Sequence, residues 1–395
     1  MTCRRSVTCP SEFGAQQYDT GERVPGARLL LGYSLPSNGS LGHRGRVVSA
    51  DQPIGGQRKL ESRWGAPGFV KLLQGIAVLL LLSACSDGSD GPPYVEPEPE
   101  PEPGLTGCAD TSSCAPNPPL EIGAERPAQV LIPSNYDPGT RYPLIVTLHG
   151  YGAFGSLQSS YLGLDARVDS AQYVLVSPDG TENRNGTRFW NGTPACCAAA
   201  AAAEDGSGED YSQIDDVGYI RSLIEEAAAT YSIDPSRVAL FGHSNGGFLA
   251  LRLGCEASDL VTSIVSLAGS TFAQESACAP AAKPVSLLAV HGTADDTILY
   301  DGGEILGEAY PSAQETARRF AVLAGCDGDN PGDGGSVDVV GNLSGAETRV
   351  QAWPDCPAGV EVELWTIADG PHIPGPWVPA ALDSFVDWLI GHPRD

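Results

Sequence analysis

The sequence predicts an α/β fold with a mainly parallel central sheet and helices on both of its faces. Short, continuous apolar runs rich in β-branched residues are typical of strands that are buried on both sides. Longer segments with apolar residues at helical spacing lie between them, and this alternation is expected when helices connect parallel strands. The predicted strands are residues 128–132, 144–148, 173–176, 238–241, 264–267, 285–290 and 362–365.

Two of the predicted helices have recognisable first residues. Asp216 is expected to cap a helix whose apolar residues recur at helical spacing as far as Ala227. Ser312 and Glu315 match a capping box, and their helix is predicted to run through Leu323. The six alanines of residues 198–203 precede a stretch rich in glycine and acidic residues, and we predict a surface loop there.

Residues 70–85 have the composition of a signal peptide, because a basic residue precedes an apolar run too short to cross a bilayer. The segment ends in Leu-Ser-Ala-Cys, which resembles a bacterial lipobox, so Cys85 is the expected lipidation site. A plain secretory signal with a chance cysteine is the alternative. Met1 is the only methionine, and we hypothesise that translation begins at Val70 and that residues 1–69 are a disordered leader from a misread start. The expected location is extracytoplasmic, lipid-anchored to a bacterial membrane or secreted.

The rest of the chain divides into a linker and one large domain. Residues 86–119 contain an alternating Glu-Pro run that predicts an extended linker. Residues 120–395 are enough for one catalytic domain with a sizeable core. The net charge is −26, although ten of the 23 Lys and Arg residues precede residue 85. Nucleic-acid binding needs clustered Lys and Arg, so a chain this acidic after residue 85 excludes nucleic acid as a partner. We expect a monomer that meets a membrane only through its anchor.

Eight of the 11 cysteines follow the lipobox, and this even number predicts disulfides formed in an oxidising compartment. Zinc binding is the alternative. The sequence does not fix their connectivity; the favoured pairs, Cys255 with Cys278 and Cys326 with Cys356, each bracket one local segment, and Cys108 with Cys114 could close a small loop. The two remaining cysteines, Cys196 and Cys197, are adjacent and could form a vicinal disulfide.

The pentapeptide GHSNG, residues 242–246, lies between a predicted strand and an apolar helical run. This is the context of a nucleophile elbow, in which the serine projects from a strained turn. The turn is so tight that side chains two residues to either side would collide, which explains both glycines. Ser244 is therefore the predicted nucleophile.

A serine nucleophile needs a general base, and the base needs an acid to orient it. On this kind of fold the three follow in the order Ser, Asp, His, each after a strand. Asp295 follows one predicted strand, with Asp296 as its competitor, and His372 follows another. His149 and His291 lie in His-Gly turns at strand ends, so we interpret them as structural.

Backbone amides are expected to stabilise the oxyanion of the reaction. The amide of Asn245, directly after the nucleophile, is one candidate. The loop after the strand 144–148 supplies the other, at Tyr151 or, as a fallback, Gly152. The side chains of Trp190 and Tyr151 are candidates for substrate binding, with packing as the alternative role.

Eight motifs occur in order: LHG (148–150), SPDG (177–180), FWN (189–191), DDV (215–217), DPSRV (234–238), GHSNGG (242–247), HGTAD (291–295) and GPH (370–372). In this combination the chain resembles, over residues 120–392, the polyhydroxybutyrate depolymerase-like and feruloyl/acetylxylan esterases of the α/β-hydrolase superfamily. The resemblance implies the triad Ser244, Asp295 and His372 and an adjacent-cysteine motif at residues 196–197. The chain differs from the family around the histidine, where the family usually has Gly-His-Thr-Trp-Pro-Gly. Here Pro371 precedes His372, and no tryptophan follows within two residues.

The resemblance also implies hydrolysis of carboxylic esters through an acyl-enzyme, with no metal and no organic cofactor. The expected function is therefore that of a secreted serine esterase acting on a polyester oligomer or an acylated polysaccharide. A non-catalytic, lipid-anchored binding protein of the same fold is the alternative. Within enzymes, acyl transfer to an alcohol and peptidase activity also stay open.

Overall fold

A computed structural model of the chain describes residue 108, residues 114–278 and residues 281–394. The predicted leader, the signal peptide, Cys85 and the Glu-Pro run lie outside these residues. Within the described part, no helix combines the length and the apolar character needed to cross a bilayer.

Ten of the 14 strands in the described part form one sheet, in the order β1-β2-β4-β3-β7-β8-β9-β14-β13-β12. The strands are β1 Glu121–Ile122, β2 Ala128–Leu131, β3 Tyr142–Leu148, β4 Val174–Ser177, β5 Thr181–Glu182, β6 Arg188–Phe189, β7 Ile233–His243, β8 Ser263–Leu267, β9 Ser286–Gly292, β10 Gly303–Ile305, β11 Glu308–Tyr310, β12 Gly332–Val337, β13 Thr348–Ala352 and β14 Val362–Ile367. The six central strands, from β4 to β14, are parallel, and the outer ones are antiparallel. This confirms the predicted fold class and all seven predicted strands.

The described part has seven α-helices, and six of them cover the two faces of the sheet. The seven helices are α1 Gly155–Tyr161, α2 Val168–Ala171, α3 Ala198–Asp205, α4 Asp216–Thr230, α5 Asn245–Glu256, α6 Ala313–Ala324 and α7 Pro379–Gly391. Helices α4, α5 and α6 share one apolar cluster with the sheet, and α1, α2 and α7 share the other. In β3, Leu144 and Val146 belong to the first cluster and Ile145 to the second, all fully buried. The strand is continuously apolar because its side chains pack on both faces.

The prediction that Asp216 caps α4 is wrong by one residue. The side chain of Asp215 accepts the hydrogen bond from the Gly218 amide and caps the helix. Asp216 is the first helical residue, and its carboxylate is fully buried against Arg126. The cap of α6 is where the sequence places it, because Ser312 accepts from the amide of Glu315 at 3.0 Å.

The alanine run does not form the predicted surface loop. It forms helix α3, in which Ala198 and Ala201 are buried beside Phe189 and Tyr211. Alanine has the highest helix propensity of all residues, and its small side chain lets the helix pack closely against these rings. The two favoured disulfides, Cys255–Cys278 and Cys326–Cys356, are present, and so are the two that the sequence left possible, Cys108–Cys114 and Cys196–Cys197.

The strand order changes direction at β3, which lies between β4 and β7. From β3 the chain first adds β4 on one side and later returns to add β7 on the other side. Loops that leave the carboxyl ends of β3 and β7 therefore diverge, and such switch points are where open α/β sheets bind ligands. Those two loops carry the oxyanion candidates and Ser244.

Candidate active site

The turn between β7 and α5 is a nucleophile elbow. Ser244 has φ 54° and ψ −120°, a strained backbone conformation for a residue with a side chain. A Cβ atom added to Gly242 would lie 2.1 Å from the carbonyl oxygen of Gly246, and one added to Gly246 would lie 2.1 Å from that of Leu148. Only glycine fits at either position, for the steric reason that the sequence suggested.

Ser244, His372 and Asp295 lie in one chain of hydrogen bonds. The Ser244 hydroxyl donates to Nε2 of His372 at 2.9 Å, and Nδ1 of His372 donates to Oδ2 of Asp295 at 2.8 Å. The three side chains come from the loops after β7, β14 and β9. A base with this tautomer can remove the serine proton while the carboxylate holds its other nitrogen.

Asp295 is fully buried and has four hydrogen-bond donors. The amides of Thr297 and Ile298 donate to Oδ1 at 2.9 and 2.8 Å, and His291 and His372 donate to Oδ2. Burial by itself raises the pKa of Asp295, but the hydrogen bonds from the two histidines, the electrostatic interaction with His372 and the hydrogen bond from the Ile298 amide outweigh it and hold the pKa well below its usual range. Asp296, the competing candidate, is exposed and does not contact His372.

Two further histidines support these residues, and the sequence interpretation did not assign them this role. Nε2 of His291 lies 3.2 Å from Oδ2 of Asp295 and 2.8 Å from the Ile298 carbonyl, so it donates to both. Nε2 of His243, inside the elbow, donates to the backbone carbonyl of His372 at 3.0 Å. The sequence did contain a signal for this role, because His243 directly precedes Ser244 and His291 lies four residues before Asp295.

The loop that carries His372 is held at a second carbonyl as well. The hydroxyl of Tyr161, at the end of α1, donates to the carbonyl of Pro374 at 2.7 Å. The Tyr161 ring also packs against the ring of His243, with 5.6 Å between centroids. The base therefore has a fixed backbone as well as a fixed side chain.

The structure discriminates between the candidate oxyanion amides. The Gly152 amide donates to the Arg188 carbonyl at 2.8 Å, so it is not available to an oxyanion. The Tyr151 amide has no acceptor among the described residues. Asn245 is the first residue of α5, and its amide is one of the N–H groups that a helix leaves unpaired at its start. The backbone amides of Tyr151 and Asn245 are therefore the two candidates that remain available to donate to an oxyanion at the elbow.

Trp190 lies beneath the site and does not line it, because its side chain is fully buried. Its indole N–H donates to the carbonyl of His149 at 3.0 Å. Its backbone makes two hydrogen bonds with the Asn245 side chain, at 2.7 and 2.9 Å. Of the two roles that the sequence left open for Trp190, packing is the one observed, because Trp190 joins the loop after β3 to the start of α5. Tyr151 is half-buried and keeps an accessible edge.

His149, which we interpreted as structural, is buried beside Trp190. The Gly180 amide donates to its Nε2 at 2.8 Å, so Nδ1 carries the proton and donates to the Gly150 carbonyl. Desolvation lowers the pKa of His149 to about 4, which keeps the ring neutral.

An ion pair below the loops joins several of the sequence motifs. Arg126 pairs with Asp216 at 2.8 Å and lies over the Tyr219 ring, 3.9 Å from its centroid. The second oxygen of Asp216 accepts from the Asn191 amide at 2.7 Å. These motif residues therefore support the segment that contains Trp190. Among the residues described, no group of three or more His, Cys, Asp or Glu side chains is arranged to hold a metal ion.

The parallel sheet, the elbow and the loops after β7, β9 and β14 together define the α/β-hydrolase class. Comparison with known proteins gives the family within that class. The family model Esterase, described as "Putative esterase", matches residues 120–329, more than half of the chain. The chain belongs to this esterase family and is a carboxylic-ester hydrolase, and its relatives include feruloyl and acetylxylan esterases.

Several known proteins are similar to this chain. Feruloyl esterase B of Piromyces equi is 25% identical over 255 residues, which cover 62% of this chain and 42% of that protein. The chain thus spans less than half the length of that relative. Feruloyl esterase D of Neurospora crassa is 26% identical over 297 residues, 72% of this chain and 89% of that protein. The solved acetyl xylan esterase from Aspergillus awamori aligns with a TM-score of 0.48 at 13% identity, over 68% of this chain and 97% of that one.

Proposed function

We propose that this protein is a serine esterase that hydrolyses acylated polysaccharides or their fragments through an acyl-enzyme on Ser244. The observation that carries the proposal is the unbroken hydrogen-bond chain from the Ser244 hydroxyl through His372 to the buried carboxylate of Asp295. Ester hydrolysis needs a nucleophile, a base and a charge that orients the base, and these residues supply all three.

In the first half of the reaction, Ser244 Oγ attacks the ester carbonyl carbon while its proton moves to Nε2 of His372. The amides of Tyr151 and Asn245 donate to the oxyanion. The bond to the alcohol breaks, and His372 protonates the leaving oxygen. Water then attacks the acyl carbon, gives a proton to His372, and Ser244 leaves with that proton. Asp295 stays ionised throughout, in accord with its low pKa.

The exposed apolar side chains favour a substrate with an apolar part. Four of the seven exposed large apolar residues in the described part follow β3, β9 or β14, the strands whose loops carry Tyr151, Asp295 and His372. They are Phe154, Leu157, Leu299 and Ile373. An aromatic acyl group such as ferulate matches exposed apolar side chains better than acetate does, because acetate offers little apolar surface to bury. A polyester chain fits them as well, so both belong in the test.

The experiment measures turnover of p-nitrophenyl acetate, p-nitrophenyl butyrate, methyl ferulate and hydroxybutyrate oligomers, with Ser244→Ala as the control variant. We expect ferulate to be preferred to acetate, and Ser244→Ala to lower kcat by about 10⁴-fold or more without changing the free energy of unfolding. Full activity in Ser244→Ala would overturn the proposal. Lack of turnover by the oxidised wild type on every ester would favour a non-catalytic binding role, and a preference for the oligomers would favour a polyester substrate.

We further propose that the enzyme works outside the cytoplasm, anchored by a lipid at Cys85. The four disulfides of the described residues support an oxidising compartment. Labelling of cells that express the full chain with a fatty-acid analogue should mark the protein, and Cys85→Ala should remove the label. An unlabelled wild type, or an intact mass that includes residues 1–69, would contradict this assignment.

A further inference from the structure

The carboxylate of Glu204, near the end of helix α3, accepts hydrogen bonds from two separate segments. The hydroxyl of Tyr151 and the side-chain amide of Asn183 donate to Oε2, the latter at 3.5 Å. The hydroxyl of Thr187 donates to Oε1 at 2.7 Å. Tyr151 lies on the loop after β3, whereas Asn183 and Thr187 lie on the turn between β5 and β6. The carboxylate therefore joins the oxyanion loop to the β5–β6 hairpin.

The same hairpin holds the oxyanion loop at the next residue. The Gly152 amide donates to the carbonyl of Arg188 in β6 at 2.8 Å. Tyr151 is thus held on one side by its own hydroxyl and on the other by the backbone of the residue that follows. Its amide, which lies between these two attachments, has no acceptor within the described part of the chain.

Helix α3 is itself held at both ends, so Glu204 has a defined position. The helix starts directly after the disulfide between Cys196 and Cys197. At its other end the hydroxyl of Tyr211 donates to Asp205 at 2.6 Å. The Tyr151 ring packs against both apolar clusters beside α3, one around the disulfide and one around the buried alanines.

We propose that Glu204 is a positioning residue for the oxyanion hole, acting through the Tyr151 hydroxyl to hold the Tyr151 amide in place. An oxyanion donor stabilises a transition state only if it is aimed before the charge develops. The inference rests on the proposed serine-esterase function. It assigns to α3, and to an exposed carboxylate far along the chain from the triad, an influence on the catalytic rate that acts through Tyr151.

The test compares Glu204→Ala, Glu204→Gln, Tyr151→Phe and the double variant Glu204→Ala/Tyr151→Phe. We expect Glu204→Ala to lower kcat by about 10-fold with little change in KM, because the donor matters most in the transition state. Glu204→Gln should recover most of the rate, since its amide oxygen can accept from Tyr151. The double variant should lose no more than either single variant. Glu209→Ala, which removes an exposed carboxylate paired with Arg184, should leave kcat unchanged.

Hydrogen–deuterium exchange gives a readout that does not depend on activity. We expect faster amide exchange in residues 149–153 of Glu204→Ala than in Glu209→Ala. Unchanged kcat and exchange in Glu204→Ala, or additive losses in the double variant, would overturn the inference. A lower melting temperature with wild-type kcat would mean a purely structural role and would overturn it as well. Faster exchange in Glu204→Ala, in an enzyme without serine-dependent turnover, would support the tether but contradict the proposed function.

Discussion

Two histidines donate to the same oxygen of Asp295, and they have different surroundings. His372 lies beside the nucleophile, whereas His291 is almost fully buried and lies within β9, one residue before the end of the strand. Because His291 also donates to the Ile298 carbonyl, it links the carboxylate to the turn that supplies the amide donors. His291 therefore fixes the orientation of the carboxylate that in turn orients the base.

We expect His291→Ala to reduce kcat by about 10-fold or more with a much smaller change in KM. A hydrogen bond to a charged group contributes about 1.5–3 kcal/mol, and its loss would let the Asp295 carboxylate rotate. His291→Gln keeps an N–H donor and should retain more of the rate. Steady-state kinetics at neutral pH provide the measurement. Equal kcat in the wild type and His291→Ala would show that the amides of the turn hold Asp295 by themselves.

At the scale of elements, two adjacent carboxylates at the start of α4 have different structural roles. Asp215 caps the helix at the surface, while Asp216 points inward to Arg126 and the Asn191 amide. A cap satisfies one helix N–H, whereas the buried carboxylate neutralises a charge and holds a loop beneath the active site.

The two carboxylates should therefore differ in their contribution to stability. We expect Asp215→Ala to lower the free energy of unfolding by about 1 kcal/mol, the usual cost of a lost cap. Asp216→Ala should lower it by about 3 kcal/mol or more, because the mostly buried Arg126 guanidinium loses its ion-pair partner and the Asn191 amide loses its acceptor. Denaturant unfolding of both variants at neutral pH measures the difference. Similar values for the two would mean that the ion pair contributes little beyond its desolvation cost.

Whether the alanine run forms a loop or a helix, as it does in α3, depends on the residues that pack against it. An alanine run followed by glycines and acids predicts a surface loop if only its neighbours along the chain are considered. In the structure it lies between the vicinal disulfide and the rings of Phe189 and Tyr211, and small side chains are what let it fit there. Packing therefore decides whether the strong helix propensity of alanine is used.

At the scale of the whole molecule, two buried neutral histidines couple folding to pH. Desolvation lowers the pKa of His243 to about 4, with repulsion from His372 adding to the effect and Asp295 opposing it. The pKa of His149 is also lowered to about 4, against the opposing influence of Asp179. Both rings would have to be charged in strong acid, and the folded state resists this.

We expect the protein to lose stability as the pH falls from about 6.5 towards 4. In that interval the unfolded chain binds protons at both histidines and the folded chain does not, so each contributes up to about 1.4 kcal/mol of lost stability per pH unit. Above pH 6.5 these two groups should have no effect. Denaturant unfolding at several pH values tests this, with His243→Gln as the matched variant. A variant with the same pH dependence as the wild type would contradict the role of His243.

The sequence by itself determined the strands, the elbow and the order of the catalytic candidates. Continuous β-branched runs are a local signal of doubly buried strands, and a serine between spaced glycines is a local signal of a tight turn. Because the carboxyl ends of parallel strands meet at one edge of a sheet, knowing which strands precede Ser244, Asp295 and His372 was enough to expect them together. The sequence also favoured two of the cysteine pairs, because each closes a local segment, but it did not fix the connectivity of all eight cysteines.

Only the tertiary structure decided between neighbours along the chain. Asp295 differs from Asp296, and Tyr151 from Gly152, through contacts with loops that are distant in sequence. The burial of Trp190 and the link from Glu204 to Tyr151 arise in the same way. The physical reason is that one residue's step along a loop reverses the direction of a side chain or an amide. Direction is set by long-range packing and hydrogen bonding, which a local pattern does not contain.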